Sequence, residues 1–263
     1  MPTGRCKLCL REDRDLKESH LMPAGMYRRI RSDEKNPHPI MITKDGSRPS
    51  SMQVTDYVLC GECESRFDAF GENYTLRFAA GNGRFRLLEE LETAQPSFSR
   101  PEWRGYNAVD SPGIKREHLA YFAFSVFWRA SVHIWPSMDG KSKLPGIDLG
   151  KDNNEQLRLY LYGRSPVPPA MMLFFVVLTD SLSQGSFHLP SFSHKKDFCW
   201  SYVFSACGLI FLLTVGRRLT RGNIATSLDK SAEQWIWVRD GEAKTIEALS
   251  ALISRQPPHV RLK

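Results

Sequence analysis

Apolar residues recur every three or four positions at Leu119, Phe122, Ala123, Val126, Phe127, Ala130 and Ile134, which predicts a helix over 114–135 with one buried face, ended by Pro136. Further helices are predicted over 84–91 and 154–162, and a short basic one over 24–31. Beyond Pro169 the texture changes. Runs of β-branched and aromatic residues predict strands over 171–179, 201–206, 209–215 and 234–238. A last helix is expected over 241–254, capped by Asp240, with Ile246, Leu249, Leu252 and Ile253 on one side. Near the start, residues 54–59 suit a strand, and the stretch after Cys63 suits a helix with Phe67 and Phe70 turned inward. The run up to Glu18 is mostly polar, and 32–53, with Pro37, Pro39 and Pro49, reads as an exposed insertion. Pro96, Pro101 and Pro112 mark a connecting segment. The pattern is that of an α+β protein, with a cysteine-bearing module over 1–75 and an α+β part over 76–263 of unknown role.

Composition narrows the class. The chain has 263 residues, 41% hydrophobic and 25% charged, as a folded globular protein does. The two most apolar stretches, 171–178 and 202–215, fall short of the roughly 20 residues of a membrane-spanning helix, so no membrane association is expected. The opening residues Met1 to Cys6 hold no apolar core of a secretory signal. The net charge of +7 is unevenly spread: Lys plus Arg against Asp plus Glu stands at 12 to 10 over 1–66, 10 to 10 over 67–150 and 14 to 9 over 151–263. A phosphate partner therefore needs local clusters rather than bulk charge.

The six cysteines bring in chemistry. Four form two Cys-x-x-Cys pairs, Cys6 with Cys9 and Cys60 with Cys63, while Cys199 and Cys207 stand apart and read as small buried hydrophobes. A Cys-x-x-Cys turn lets two thiolates reach one ion, and two turns close a tetrahedral zinc shell with no open position, which is the structural pattern. Residues 10–59 separate the pairs, and closing so long a loop costs little more than closing a short one. Neither pair has the βαβ setting of a redox dithiol. Paired thiols bound to zinc also suit a reducing, cytoplasmic location.

Between the knuckles lies Ser19-His20-Leu21-Met22-Pro23, and the second knuckle reads Cys60-Gly61-Glu62-Cys63-Glu64-Ser65-Arg66-Phe67. This order over residues 6–70 resembles the HNH endonucleases, in particular the zinc-knuckle branch. It is also similar to a group of bacterial proteins of uncertain function that share these two motifs and a helix matching Trp128-Arg129-Ala130-Ser131. The resemblance implies a treble-clef (ββα-metal) module in which the four cysteines bind structural zinc. It further implies that His20 is a general base, that Glu64 assists a catalytic magnesium or manganese ion, and that the substrate is nucleic acid, DNA more than RNA, with a role in bacterial defence. Two positions depart from the family pattern. Ser19 stands where an acidic residue precedes the base, and Glu64 where Asn or His follows the last cysteine. The other reading of His20 is structural, a turn-ordering imidazole beside a Ser19 cap. His38 reads either as an extra ligand or as an exposed loop residue.

Arg28, Arg29 and Arg31 follow His20 on the predicted helix that would face nucleic acid, or else form a solvated face; Arg217, Arg218 and Arg221 form a second knot. The rival to a nuclease is a non-catalytic zinc module that binds nucleic acid or protein, with the C-terminal part as recognition or assembly surface. A purely structural zinc protein is the third reading.

Overall fold

The computed structural model describes residues 1–30, 40–43, 46–49, 53–111, 113–137, 142–196, 198–217 and 219–240. The helix expected over 241–254, most of the insertion, Arg31, His38 and Arg218 lie outside the described residues.

Strands β1 (Thr3–Gly4), β2 (Arg14–His20) and β5 (Thr55–Cys60) form an antiparallel sheet in the order β1-β2-β5. The polar run before His20 is thus a strand. The register with β5 shifts between Lys17 and Glu18, where Val58 is the extra residue, and Leu16 and Ser19, three positions apart, are the two buried residues of the strand. Helix α1 (Ala24–Ile30) and a hairpin of β3 (Ile40–Thr43) and β4 (Gly46–Pro49) lie between β2 and β5.

β5 runs directly into α2 (Gly61–Phe67), which continues through a π-helical turn (Asp68–Glu72) into α3 (Asn73–Phe78). The wider turn rotates the helix phase. Phe67 is fully buried, but Phe70, expected inside, is 47% exposed beneath the Arg66 guanidinium, while Gly71 and Glu72 face inward instead. A Cβ on Gly71 would stand 2.8 Å from the Phe122 backbone nitrogen, so only glycine permits this approach.

Then come α4 (Arg86–Glu92), β6 (Phe98–Arg100), β7 (Trp103–Asn107), α5 (Arg116–Val132) and α6 (Lys151–Leu161). The segment expected to be a connector supplies β6 and β7. β8 (Met171–Leu178), α7 (Ser181–Gln184), β9 (Phe187–Lys196), β10 (Cys199–Ala206), β11 (Leu209–Gly216), α8 (Arg221–Ala225) and β12 (Trp235–Arg239) follow. Seven of these strands form one sheet, ordered β6-β7-β12-β8-β11-β10-β9 and antiparallel except where β12 meets β8. Cys207 and Gly208, with φ of 52° and 80°, make the two-residue turn between β10 and β11. β9 does not read as a strand from its sequence because it is an edge strand, which tolerates Pro190 and a polar second half.

Helix α5 is the centre of the molecule. It was expected to have one apolar face, yet every residue from Leu119 to Ala130 is buried. Phe122 and Phe127 meet Phe204 at ring distances of 5.9 and 4.9 Å on the sheet side, and the π-helical turn and α6 pack elsewhere around it. The helix ends at Val132, so Ile134, expected on the buried face, lies beyond it and is 62% exposed. No helix among the described residues is long and apolar enough to cross a membrane.

Candidate metal centre and the buried charge network

The first knuckle is the turn between β1 and β2. Cys6 accepts backbone bonds from Leu10 and gives one to Arg11, and Leu10 takes a left-handed φ of 63° that curls the turn. The second knuckle is a helix start: Cys60 caps α2 and Cys63 lies in its first turn, where the helix dipole and free N–H groups favour thiolate. The β2–β5 pairing, with Leu16 opposite Cys60, draws the two knuckles together.

The sulfurs of Cys6, Cys9, Cys60 and Cys63 all lie within 4.8 Å of one another, close enough to hold a metal ion. Cys9 and Cys60 are 3.9 Å apart, near the roughly 3.8 Å edge of a tetrahedron with metal–sulfur bonds of about 2.3 Å. The Cys60 N–H points at the Cys6 sulfur at 3.4 Å, as donors around a thiolate centre do. Crowding sets the thiols in conflict. A hydrogen bond with Cys63 helps pull Cys6 down to about 4, the same contact drives Cys63 up, and burial raises Cys9. A dication replacing the protons would remove that conflict.

His20 closes β2 and is half-buried. Its carbonyl accepts a 2.8 Å bond from Arg129 Nη1 on α5. Burial pushes the imidazole below its ordinary value, against a hydrogen bond with Gln53 and the charge of Glu18, which pull it up. Glu64 stands one residue past the second knuckle. It accepts the hydroxyl of fully buried Ser19, which in turn accepts the Leu59 N–H at 3.2 Å. Ser19 is therefore a strand residue that holds Glu64, rather than a cap on α1. The charges that bear on His20 are those of Glu18, Arg129 and Arg28, and Glu64 is not among them.

Two residues absent from the expected site complete the network. Arg129 is 1% exposed, and its Nη2 meets Glu72 Oε1 at 2.5 Å. Its guanidinium also lies over the Phe67 ring at 5.2 Å. Arginine is rarely fully buried unless paired, so Arg129 within an apolar helix was the signal in the sequence; nothing pointed to Glu72 before the π-helical turn showed it facing inward. One guanidinium serves two carboxyls, Glu72 buried and Glu64 half-buried. Burial accordingly raises Glu64 and holds Glu72 up at about 7, both against the pull of Arg129.

This arrangement carries a pH signature. Glu72 titrates at about 7 in the folded protein against an ordinary 4.5, so between these values the native state holds a proton that the unfolded chain has lost. Its contribution to stability is full below 4.5 and is lost as pH rises through 7, amounting to about 3 kcal/mol. Thermal unfolding of Glu72→Gln and wild type from pH 5 to 8 is expected to show the difference shifting in the variant's favour as pH rises. A difference that stays constant refutes this assignment.

The basic residues after His20 fare unequally. Arg28 is exposed, whereas Arg29 gives a 3.1 Å bond to the Ala79 carbonyl and packs against Gly81. Gly25, Met26 and Tyr27 are buried, so α1 is docked on the body of the protein along that face.

The C-terminal end of α5 makes two further ties. His133 Nε2 lies 2.7 Å from Asp56 Oδ2, and Lys7 Nζ caps the helix end at the Val132 carbonyl, also at 2.7 Å. These three side chains line a cleft of about 850 Å³ together with Lys143 and Asp148. His20 and Glu64 do not line it. Comparison of the chain with protein-family models, with curated proteins and with solved structures finds no match.

Proposed function

We propose that Cys6, Cys9, Cys60 and Cys63 hold one structural zinc ion and that the module they order acts on nucleic acid in the manner of HNH endonucleases, with His20 as general base. The observation that carries this reading is the state of His20. It ends the strand that leaves the first knuckle, its backbone is clamped by Arg129, and burial biases its imidazole toward the neutral form that can take a proton from water. Glu64, on the first turn of the second knuckle's helix, is the residue that would hold a magnesium or manganese ion. Such an ion, when bound, would stabilise charge on the phosphate and on the leaving oxygen. Ser19 would orient the Glu64 carboxylate through its hydroxyl.

A second reading is favoured by Arg129. A buried guanidinium already lies close enough to act on both Glu64 and Glu72, which leaves less negative charge for a hard cation. On that reading the module binds nucleic acid or protein without cutting.

Plasmid DNA incubated with magnesium or manganese separates the two. Wild-type protein is expected to nick the plasmid and His20→Ala to lower the rate by about a hundredfold or more, the usual worth of a general base. The substituted imidazole makes no contact needed by Arg129, which bonds the backbone carbonyl, so the fold should persist. Equal background from both proteins, with DNA still retarded on a gel, would establish the non-catalytic reading.

A further inference from the structure

Sheet register gathers basic and aromatic residues from two distant parts of the chain at one end of the large sheet. Phe192, Phe198 and Trp200 are exposed by 55%, 68% and 40% on the β9–β10 hairpin. His194, Lys195 and Lys196 are exposed beside them on β9, the edge strand. Cys199 pairs with Lys196 on one side and with Gly216 on the other, which brings in Arg217, the first residue after β11; Arg221 opens α8 four positions later, and both are exposed. Between residues 187 and 222 the sequence has five Lys or Arg (195, 196, 217, 218 and 221) and a single acidic residue, Asp197.

The rings are spaced along one face. Trp200 and Tyr202 lie two positions apart on β10, hence on the same side, and Phe192 is the cross-strand partner of Tyr202, with rings 6.1 Å apart. Phe192 and Trp200 stand on neighbouring strands, offset by about 7 Å along the strand direction and about 5 Å across it. Lys195 pairs across from Trp200 and places its ammonium 4.8 Å from the ring centre.

We propose that this end of the sheet binds single-stranded nucleic acid, with unpaired bases stacking on Phe192 and Trp200 and phosphates met by Lys195, Lys196, Arg217 and Arg221. Every base offers a π-face, so such a platform grips a strand without reading its sequence, and cations beside the rings supply the backbone contacts. An anionic lipid surface would also attract the charges. Insertion into it requires a continuous apolar face, however, and Lys195 lies across Trp200. The proposal extends the proposed function to how a strand is held, and it does not depend on hydrolysis at His20.

Fluorescence anisotropy of a labelled short oligothymidine, without added magnesium or manganese, tests it. Wild type and His20→Ala should bind alike, with affinity falling as salt rises. The double variant Lys195→Glu/Lys196→Glu is expected to lose about tenfold or more, and Trp200→Ala about tenfold, while the charge-matched pair Lys115→Glu/Lys151→Glu, exposed elsewhere, binds as wild type does. All the charged side chains altered are exposed, so unfolding temperatures should agree. Wild-type affinity in the hairpin double variant overturns the proposal. So does a wild type that ignores the oligonucleotide but sediments with phosphatidylserine vesicles. Absence of plasmid nicking leaves it standing, because the measurement reads binding alone.

Discussion

Replacing Cys60 with serine is expected to weaken the proposed zinc site and cost about 4 kcal/mol or more, lowering the unfolding temperature by about 10 °C or more. Cys60 ends β5, caps α2 and stands opposite Leu16 of β2, so its sulfur ties strand, helix and first knuckle at one point. The damage would not stay local. The first knuckle is docked on the body of the protein by its own backbone and side chains: Arg158 of α6 gives a 2.7 Å bond to the Leu8 carbonyl, and Lys7 reaches the end of α5. Three thiolates remain in the variant, and a shell missing one donor holds zinc less firmly. Metal analysis of the purified chain should give one zinc per wild-type molecule and a substoichiometric amount for Cys60→Ser. A variant that kept full zinc and melted within about 2 °C of wild type would remove the metal from its structural role.

The second large effect is expected at Arg129. Arg129→Met keeps the length and apolar stem of the side chain and removes the charge. It should destabilise the protein by about 3–5 kcal/mol above pH 7, where Glu72 is ionised, the cost of breaking a buried ion pair from one side. The guanidinium joins three elements: its Nη1 holds the His20 carbonyl, its Nη2 holds Glu72, and Ser125 one turn earlier approaches the same nitrogen at 3.4 Å. Without it, buried Glu72 and half-buried Glu64 have lost the cation that draws them toward the charged form, and burial drives both further toward protonation. The loss should therefore shrink toward pH 5, where protons are available. Adding Glu72→Gln to Arg129→Met should cost less than the two single changes together, because the second removes a group the first had orphaned. Lysine at 129 restores the charge but not the two-pronged geometry, so it should recover only part of the stability. Denaturant unfolding of the wild type and these four variants at pH 5 and pH 7.5 checks all of this; strictly additive, pH-independent losses would show that Arg129 acts by packing alone.

What could be read before folding was whatever depends on local spacing. The two Cys-x-x-Cys turns mark a candidate ion site because a thiol pair at that separation is the spacing of metal ligands. The strands Met171–Leu178, Cys199–Ala206 and Leu209–Gly216 were legible because each is apolar enough to be placed without knowing its neighbours. Legibility failed wherever a neighbour decided the outcome. β2 is hidden by its register shift. The short strands Phe98–Arg100 and Trp103–Asn107 gain their place by pairing, β6 with β7 and β7 with β12, from the far end of the chain. An α-helical spacing would turn Phe70 inward, and the π-helical turn abolishes that spacing.

For the candidate site the division is the same. Composition and spacing by themselves determined that four cysteines can meet at one ion and that His20 follows the first pair along the chain, since both are matters of residue type and covalent distance. Only the tertiary structure decided that Ser19 turns inward to hold Glu64, that Arg129 divides one positive charge between two carboxyls, and that the basic hairpin of β9 and β10 meets Arg217 at one end of the sheet. A buried charge finds its partner through packing across more than fifty residues, and no periodicity in the chain encodes that distance.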